Sequence, residues 1–236
     1  MRAARASGAA GGVGRRVAAG LLAVALAGAE SPTHSATREM VAELFAGTAW
    51  SLPLPLVLRL PDGEHRLRAR YGTRPLADSP YYSYRVGRTI GSRGRGLEVE
   101  MLHHKLYLEN PRPPVEHFEV THGYNLPTVN VTGPASGWQL RLGIGVVVAH
   151  PEGRIAGRRI GGVRTLLGGG YQVAGVTGQL AAGRRYALGR GRVALTAAPE
   201  GKLTASWARV RIGEGSALVP NAALHVLGGL GVRRRW

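Results

Sequence analysis

The chain has 236 residues, with 31 Lys and Arg against 14 Asp and Glu, a formal net charge of +17, 36 glycines and no cysteine. That length fits one domain or at most two, and the missing thiols exclude disulfide staples, thiolate metal sites and cysteine nucleophiles. Nearly all the positive charge is arginine, whose planar fork matches phosphate oxygens, so the expected partner is polyanionic: nucleic acid, anionic membrane lipid or lipopolysaccharide phosphate.

At the N-terminus Arg2, Arg5, Arg15 and Arg16, with no acid among them, precede an apolar run from Val17 to Ala27 that ends at Ala27-Gly28-Ala29. A charged segment, an apolar segment and small residues in that order read as a secretory signal over 1–29, with a mitochondrial transit peptide as the alternative. The apolar run is too short to span a bilayer as a helix. Its removal lowers the net charge from +17 to +13. Residues 30–42 read as a polar lead-in, and 43–236 as the folded domain.

Glu43 to Trp50 opens that domain as a strand. Pro53 and Pro55 interrupt the pattern, since neither can donate to a ladder. Leu56 to Leu60 and Glu64 to Tyr71 then form a hairpin about Pro61-Asp62-Gly63, a strong turn signal. Arg66, Arg68 and Arg70 alternate there with Leu67, Ala69 and Tyr71, and further on Tyr82, Tyr84 and Val86 alternate with Ser83, Arg85 and Gly87.

Leu97 to Asn125 holds two alternating runs joined by a proline-rich turn. Leu97, Val99 and Met101 oppose Glu98, Glu100 and His104; Phe118, Val120 and Tyr124 oppose His117, Glu119, Thr121 and Asn125. One apolar and one charged face fit a half-exposed soluble sheet, and equally a barrel with lipid outside and a polar lumen. In the barrel, Arg66, Arg68, Arg70, Arg85 and Arg141 are expected to pair across the lumen with Glu98 and Glu100.

The clearest strand is Trp138 to Ala149, where Trp138, Leu140, Leu142, Ile144, Val146 and Val148 oppose Gln139, Arg141, Gly143 and Gly145. Twelve extended residues reach about 40 Å, enough for a tilted crossing of a roughly 30 Å hydrocarbon layer. A polar loop from His150 to Gly168 bears Arg154, Arg158, Arg159 and Arg164, the expected contacts to lipopolysaccharide phosphates. Gly169 to Ala182, Gly191 to Ala198 and Asn221 to Arg233 complete the strands; Lys202 to Ile212 reads as another strand or as a loop that extends a hairpin, and the strand count takes it as part of a long loop, with Leu126 to Gly137 as a long turn.

The sum is an all-β, antiparallel transmembrane β-barrel of about ten strands, with eight and twelve left open. The turns at 61–63, 89–95 and 183–190 are expected at the end that carries the termini, and the loops at 150–168 and 201–219 at the other.

With its signal-like N-terminus, lack of cysteine, dyad-period strands and terminal Trp236, the chain resembles the small outer-membrane β-barrels of Gram-negative bacteria. The resemblance implies an outer-membrane location and contact between the insertion machinery and the last strand through Trp236. Gly143-Ile144-Gly145-Val146 also resembles a strand of the lipid A 3-O-deacylase barrels, which hydrolyse an ester of lipopolysaccharide with serine, histidine and glutamate. Their His-x-Ser pair on the penultimate strand is missing here: Val193 to Gly201 reads VALTAAPEG.

Histidines cluster at His103, His104, His117, His122 and His150, with Glu109, Glu116 and Glu152 close in sequence. A histidine oriented by a carboxylate is a general base, so His104, His117 and His150 with Glu119 are the candidate catalytic residues. Two or three of these histidines with a glutamate could also hold a metal, but their spacings match no metal motif, and no cofactor is implied. The expected role is structural or binding, at the lipopolysaccharide surface. The rivals are an outer-leaflet lipid A acyl hydrolase, and a soluble basic protein binding RNA. Against the last stand the long apolar face of Trp138 to Val148 and the lack of stacking aromatics among the basic residues.

Overall fold

The computed structural model describes residues 38–77, 80–90, 94–163, 165 and 167–236. The signal read over 1–29, and 30–37 of the lead-in, lie outside them. Every regular element among the described residues is a strand. In chain order these are β1 (Glu39–Ser51), β2 (Leu54–Leu60), β3 (Gly63–Ala69), β4 (Tyr71–Gly72), β5 (Tyr82–Ile90), β6 (Arg95–Leu108), β7 (Val115–Ala135) and β8 (Trp138–Ala149). They continue with β9 (Glu152–Ile155), β10 (Arg158–Gly161), β11 (Gln172–Gly183), β12 (Tyr186–Ala187), β13 (Val193–Ile212), β14 (Gly215–Leu218) and β15 (Asn221–Arg235).

Eight of these close on themselves. The ring runs β1, β5, β6, β7, β8, β11, β13, β15 and back to β1, antiparallel at every contact. The closing ladder extends from Glu39↔Arg235 to Ser51↔Ala223. The antiparallel barrel is as expected, with eight strands, one of the counts the pattern left open, in place of ten. The hairpin of β2 and β3 alternates because it too has a buried face, but it pairs through β14 with the upper part of β13, beyond the ring.

Two segments read as connections are strand. Lys202 to Ile212 is the second half of β13, and Leu126 to Ala135 continues β7, with Pro127 opposite Met101. The true turn after β7 is Ser136-Gly137, positive in φ at both residues (47° and 78°), as a two-residue hairpin requires. The connections β5–β6, β7–β8 and β11–β13 share an end with both ring termini, here the turn end. The opposite, loop end carries the β2–β3 hairpin, so its Pro61–Gly63 turn lies opposite to the expected side. The stretch 150–168 holds another hairpin, β9–β10, turned by Ala156 and Gly157 (φ 49° and 73°).

At the loop end the two extensions, β14–β2–β3 and β9–β10, share one dry core. Leu56, Leu58, Val210, Ile212, Ala217 and Val219 pack with Leu106, Val115, Phe118, Val120 and Ile155. Burial of each such side chain stabilises by about 1.5–3 kcal/mol.

Lower in the barrel the pattern reverses, polar inside and apolar outside. Leu44, Val86, Val99, Val129, Ile144, Val176, Leu195, Leu203 and Leu230 all point outward and are exposed, Ile144 by 75%. Tryptophan is buried on average in globular proteins, yet all four here are 46–61% exposed. Trp138 and Trp236 lie at the turn end, and Trp50 and Trp207 toward the loop end, so they border the apolar belt on both sides.

The interior is a closed ion network. Arg85 sits at its centre, fully buried, 2.8 Å from Glu43, 2.9 Å from Glu200, 3.5 Å from Glu98 and 3.6 Å from Glu100. Arg141 bridges Glu98 at 2.7 Å and Glu200 at 2.9 Å; Arg185 reaches in from the turn end to Glu43 at 2.6 Å; Lys202 pairs with Glu100 and Glu200. Four carboxylates thus meet four cations. Ser83, Asn130 and Gln179 add neutral bonds to Glu100. Small residues make the room: a Cβ at Gly143 would overlap Asn130 Oδ1. Arg85, Glu98, Glu100 and Arg141 therefore line the interior. Arg66, Arg68 and Arg70 do not: they are exposed on and just after β3.

Arg85→Leu leaves four buried carboxylates facing three cations and is expected to cost roughly 3–5 kcal/mol. Urea unfolding in detergent, followed by gel mobility without boiling, reads the shift. Arg85→Lys, which keeps the charge but loses the fork, is expected to fall between that variant and the native chain.

Candidate functional site

Neighbouring residues of an extended strand point to opposite faces, and this separates His103 from His104. His104 faces inward, is fully buried, and packs its ring edge-on against Tyr81, Tyr124 and His225 at 5.1–6.2 Å. His225 accepts or donates at both nitrogens, bonding the Tyr81 hydroxyl at Nδ1 and Thr204 Oγ1 at Nε2, the latter at 2.8 Å. This group lies inside the barrel, between the ion network and the apolar core of the loop end. A base so enclosed has no path to an external ester. His103 faces outward instead, stacked on Tyr82 at 4.9 Å and bonded to Asn125 Oδ1 at 2.8 Å.

The other two candidate histidines stand on the rim of the loop end. His117 Nε2 lies 3.1 Å from Glu119 Oε2, an exposed histidine against a half-buried carboxylate on β7. Glu119 faces Glu152 across the β7–β9 ladder. Glu152 Oε1 in turn lies 3.1 Å from His122 Nδ1 and 3.2 Å from His150 Nε2, and the two imidazoles are 5.2 Å apart. A bulge brings them there: Gly123 adopts φ 131°, and the β6–β7 register shifts just past His104. Tyr171 fixes the group, its ring edge-on to His150 at 4.9 Å and its hydroxyl donating to the His122 carbonyl at 2.7 Å. Partial burial pushes the His150 imidazole below its ordinary value, against the pull of Glu152. Beside this group a cleft of about 330 Å³ opens on the outer wall between Tyr82, Tyr84, Met101, His103, Asn125 and Tyr171.

The structure thus distributes the catalytic candidates over two places: His104 inside, and His117, Glu119 and His150 outside. It adds His122 and Glu152, which the sequence offers only as members of a cluster, because a bulge is not legible in alternation. Among the described residues no serine or threonine hydroxyl bonds His117, His122 or His150, so the rim histidines have no activated nucleophile beside them.

A second candidate surface is cationic. Arg154, Arg158 and Arg159 are exposed on the β9–β10 hairpin, Arg154 at 4.0 Å from Glu116; Arg164 lies outside the described residues. Across the barrel mouth, β13, β14, β2 and β3 form a sheet whose inner residues join the apolar core. Its outer face presents the row Arg209, Leu218, Val57, Arg66 and the row Arg211, Ser216, Arg59, Glu64, with Arg68 beyond. Glu64 accepts from Arg59 at 3.0 Å and from Arg66 at 2.6 Å, and these guanidiniums, Arg59 foremost, hold its carboxyl below the usual range. The guanidiniums of Arg68, Arg209 and Arg211 have no ion-pair or hydrogen-bond partner among the described residues. Arg209 and Arg211 follow Trp207 on the same outward parity of β13. Their signal, Trp207-x-Arg209-x-Arg211, is visible in the sequence once 202–212 is taken as strand.

No family model matches the chain. No curated protein matches it either. Among solved structures it is similar to the crystal structure of Neisserial surface protein A, with 10% identity and a TM-score of 0.34 over 86% of this chain and 98% of that one.

His225→Leu is expected to cost about 1–3 kcal/mol by leaving Tyr81 and Thr204 unpaired in the interior. His117→Ala, at a side chain 55% exposed, is expected to shift stability by less than about 0.5 kcal/mol. Urea midpoints of the two variants in one detergent give the comparison.

Proposed function

We propose that this protein is a bacterial outer-membrane β-barrel that binds lipopolysaccharide phosphates on its cationic outer wall, in a binding or structural role. One observation carries this reading: the partnerless Arg209 and Arg211 stand immediately past Trp207, where the apolar belt ends. Tryptophan settles at the border between hydrocarbon and headgroups, so residues just beyond it on the same face meet the headgroup layer. Arginine forks grip phosphate oxygens in pairs. The hairpin residues Arg154, Arg158 and Arg159 extend the cationic surface around the mouth.

The belt itself supports the membrane reading, since a soluble domain rarely exposes so continuous an apolar surface. It weighs equally against a soluble RNA-binding protein. Residues 1–29, read as a secretory signal, fit export. The filled interior favours binding over conduction. The acyl-hydrolase reading keeps its His–Glu pairs on the rim but lacks, among the described residues, a hydroxyl nucleophile bonded to them.

The test is binding of the refolded protein to vesicles that contain lipopolysaccharide, against vesicles whose lipid A has lost its phosphates. Arg209→Ser with Arg211→Ser is expected to weaken binding by about tenfold per arginine, at about 1.4 kcal/mol for each phosphate contact. Glu64→Gln releases Arg59 and Arg66 and is expected to strengthen it. Equal binding to both vesicle types, or a double variant that binds as the native chain does, overturns the reading. In planar bilayers the protein is expected to give no stepwise conductance.

A further inference from the structure

We propose that His122, His150 and Glu152 form a binding site for a divalent transition-metal ion, with zinc(II) the best match. This goes beyond the lipid-binding reading and does not depend on it. Three donors from different parts of the fold converge: His122 from the bulge of β7, His150 just past β8, and Glu152 opening β9. Their ligand atoms all lie within 4.8 Å of one another. The two imidazole nitrogens stand 3.1 and 3.2 Å from the same carboxylate oxygen. Ligands bonded to zinc at about 2.0–2.1 Å in a tetrahedron are about 3.3 Å apart, which both nitrogen-to-oxygen distances already match, and a cation would complete the set by drawing the two imidazole nitrogens to that spacing.

The donor chemistry selects the ion. Two imidazoles and one carboxylate suit zinc and its neighbours, whereas calcium and magnesium take mostly oxygen. The surroundings keep the site open and in place. Gly170, at φ 78°, lies against His150, and a Cβ there would stand 3.3 Å from Nε2, the donor atom. Glycine leaves that edge clear. Tyr171 holds the backbone of His122 and the ring of His150 together. Three protein ligands leave a fourth position for water or an anionic group, and His122 also lines the outer cleft.

The experiment uses tag-free protein folded in detergent, with folding checked by gel mobility before and after boiling. Cobalt(II) is titrated while the visible absorption of a tetrahedral site is recorded, and zinc(II) is then added as competitor. The expected result is one cobalt per chain, displaced by zinc, and a zinc-dependent rise in the urea midpoint. His122→Ala and Glu152→Gln are each expected to weaken binding at least tenfold and to abolish the rise, whereas His117→Ala leaves both unchanged. The His122 side chain is 56% exposed, so its replacement leaves the core intact and decides the matter even where a His150 variant fails to fold. Absence of saturable binding by the folded native protein overturns the proposal. So does equal binding by His122→Ala and Glu152→Gln, or an equal loss in His117→Ala.

Discussion

The ladder between β1 and β15 is the constraint on which the rest of the structure depends. All thirteen residues of β1 pair with β15, and this turns a sheet with two edges into a ring with none. A closed ring satisfies its backbone donors and acceptors internally, so its outer wall can be wholly apolar without leaving a peptide group unpaired. An open sheet carrying Leu44, Val86, Ile144 and Leu230 on one face would present both that face and a free edge to any neighbour.

Closure with eight strands fixes the interior as well. A ring of this size has room for side chains and little else, so the inward residue of each strand meets those of strands across the barrel. Outward apolar residues leave the inward positions polar, and charges there are tolerable only if they balance. Arg85 resolves this by reaching Glu43, Glu98, Glu100 and Glu200 from one centre, while Arg141, Arg185 and Lys202 complete the neutralisation. Breaking one partner of a buried set costs far more than the set contributes against an apolar filling, so the network acts more to hold one register than to add stability. A slip of one residue in β5 would turn Arg85 outward and Tyr84 or Val86 inward.

Alternation makes the wall of the barrel legible in the sequence alone. Trp138 to Ala149 reads as a strand with the bounds it has, and Glu98 and Glu100 fall on the inward side. What alternation cannot separate is a wall strand from a strand of an extension, because both have one buried face; β2 and β3 are counted with the ring for that reason, and Arg66, Arg68 and Arg70 are placed inside with them. Prolines mislead in the other direction. Pro127 and Pro134 within β7 read as a long turn, although a residue with no donor is tolerated in a long ladder where other rungs hold the register. The candidate sites were less legible than the wall. The convergence of His122, His150 and Glu152 depends on a bulge at Gly123 and a register shift past His104, and neither has a periodic signature.

The two candidate surfaces follow from the same geometry that fills the centre. Below the loop end the barrel is filled by ions, and at the loop end it is capped by the apolar core around Phe118, Leu58 and Val210. His104, His225 and Thr204 lie between these plugs, and their hydroxyl and imidazoles serve packing and hydrogen bonding. Reactive or binding side chains can meet another molecule only on the outer wall or the rim. There the two extensions differ in chemistry: the sheet β13–β14–β2–β3 carries arginines that outnumber their acids, and the side built from β7, β8 and β9 sets His117 against Glu119 and both His122 and His150 against Glu152. Among the described residues the centre is filled by buried side chains, so the chemistry open to another molecule lies on the outer wall and where strands overrun the ring, and the length of β7 and β13 beyond their neighbours creates the latter surface.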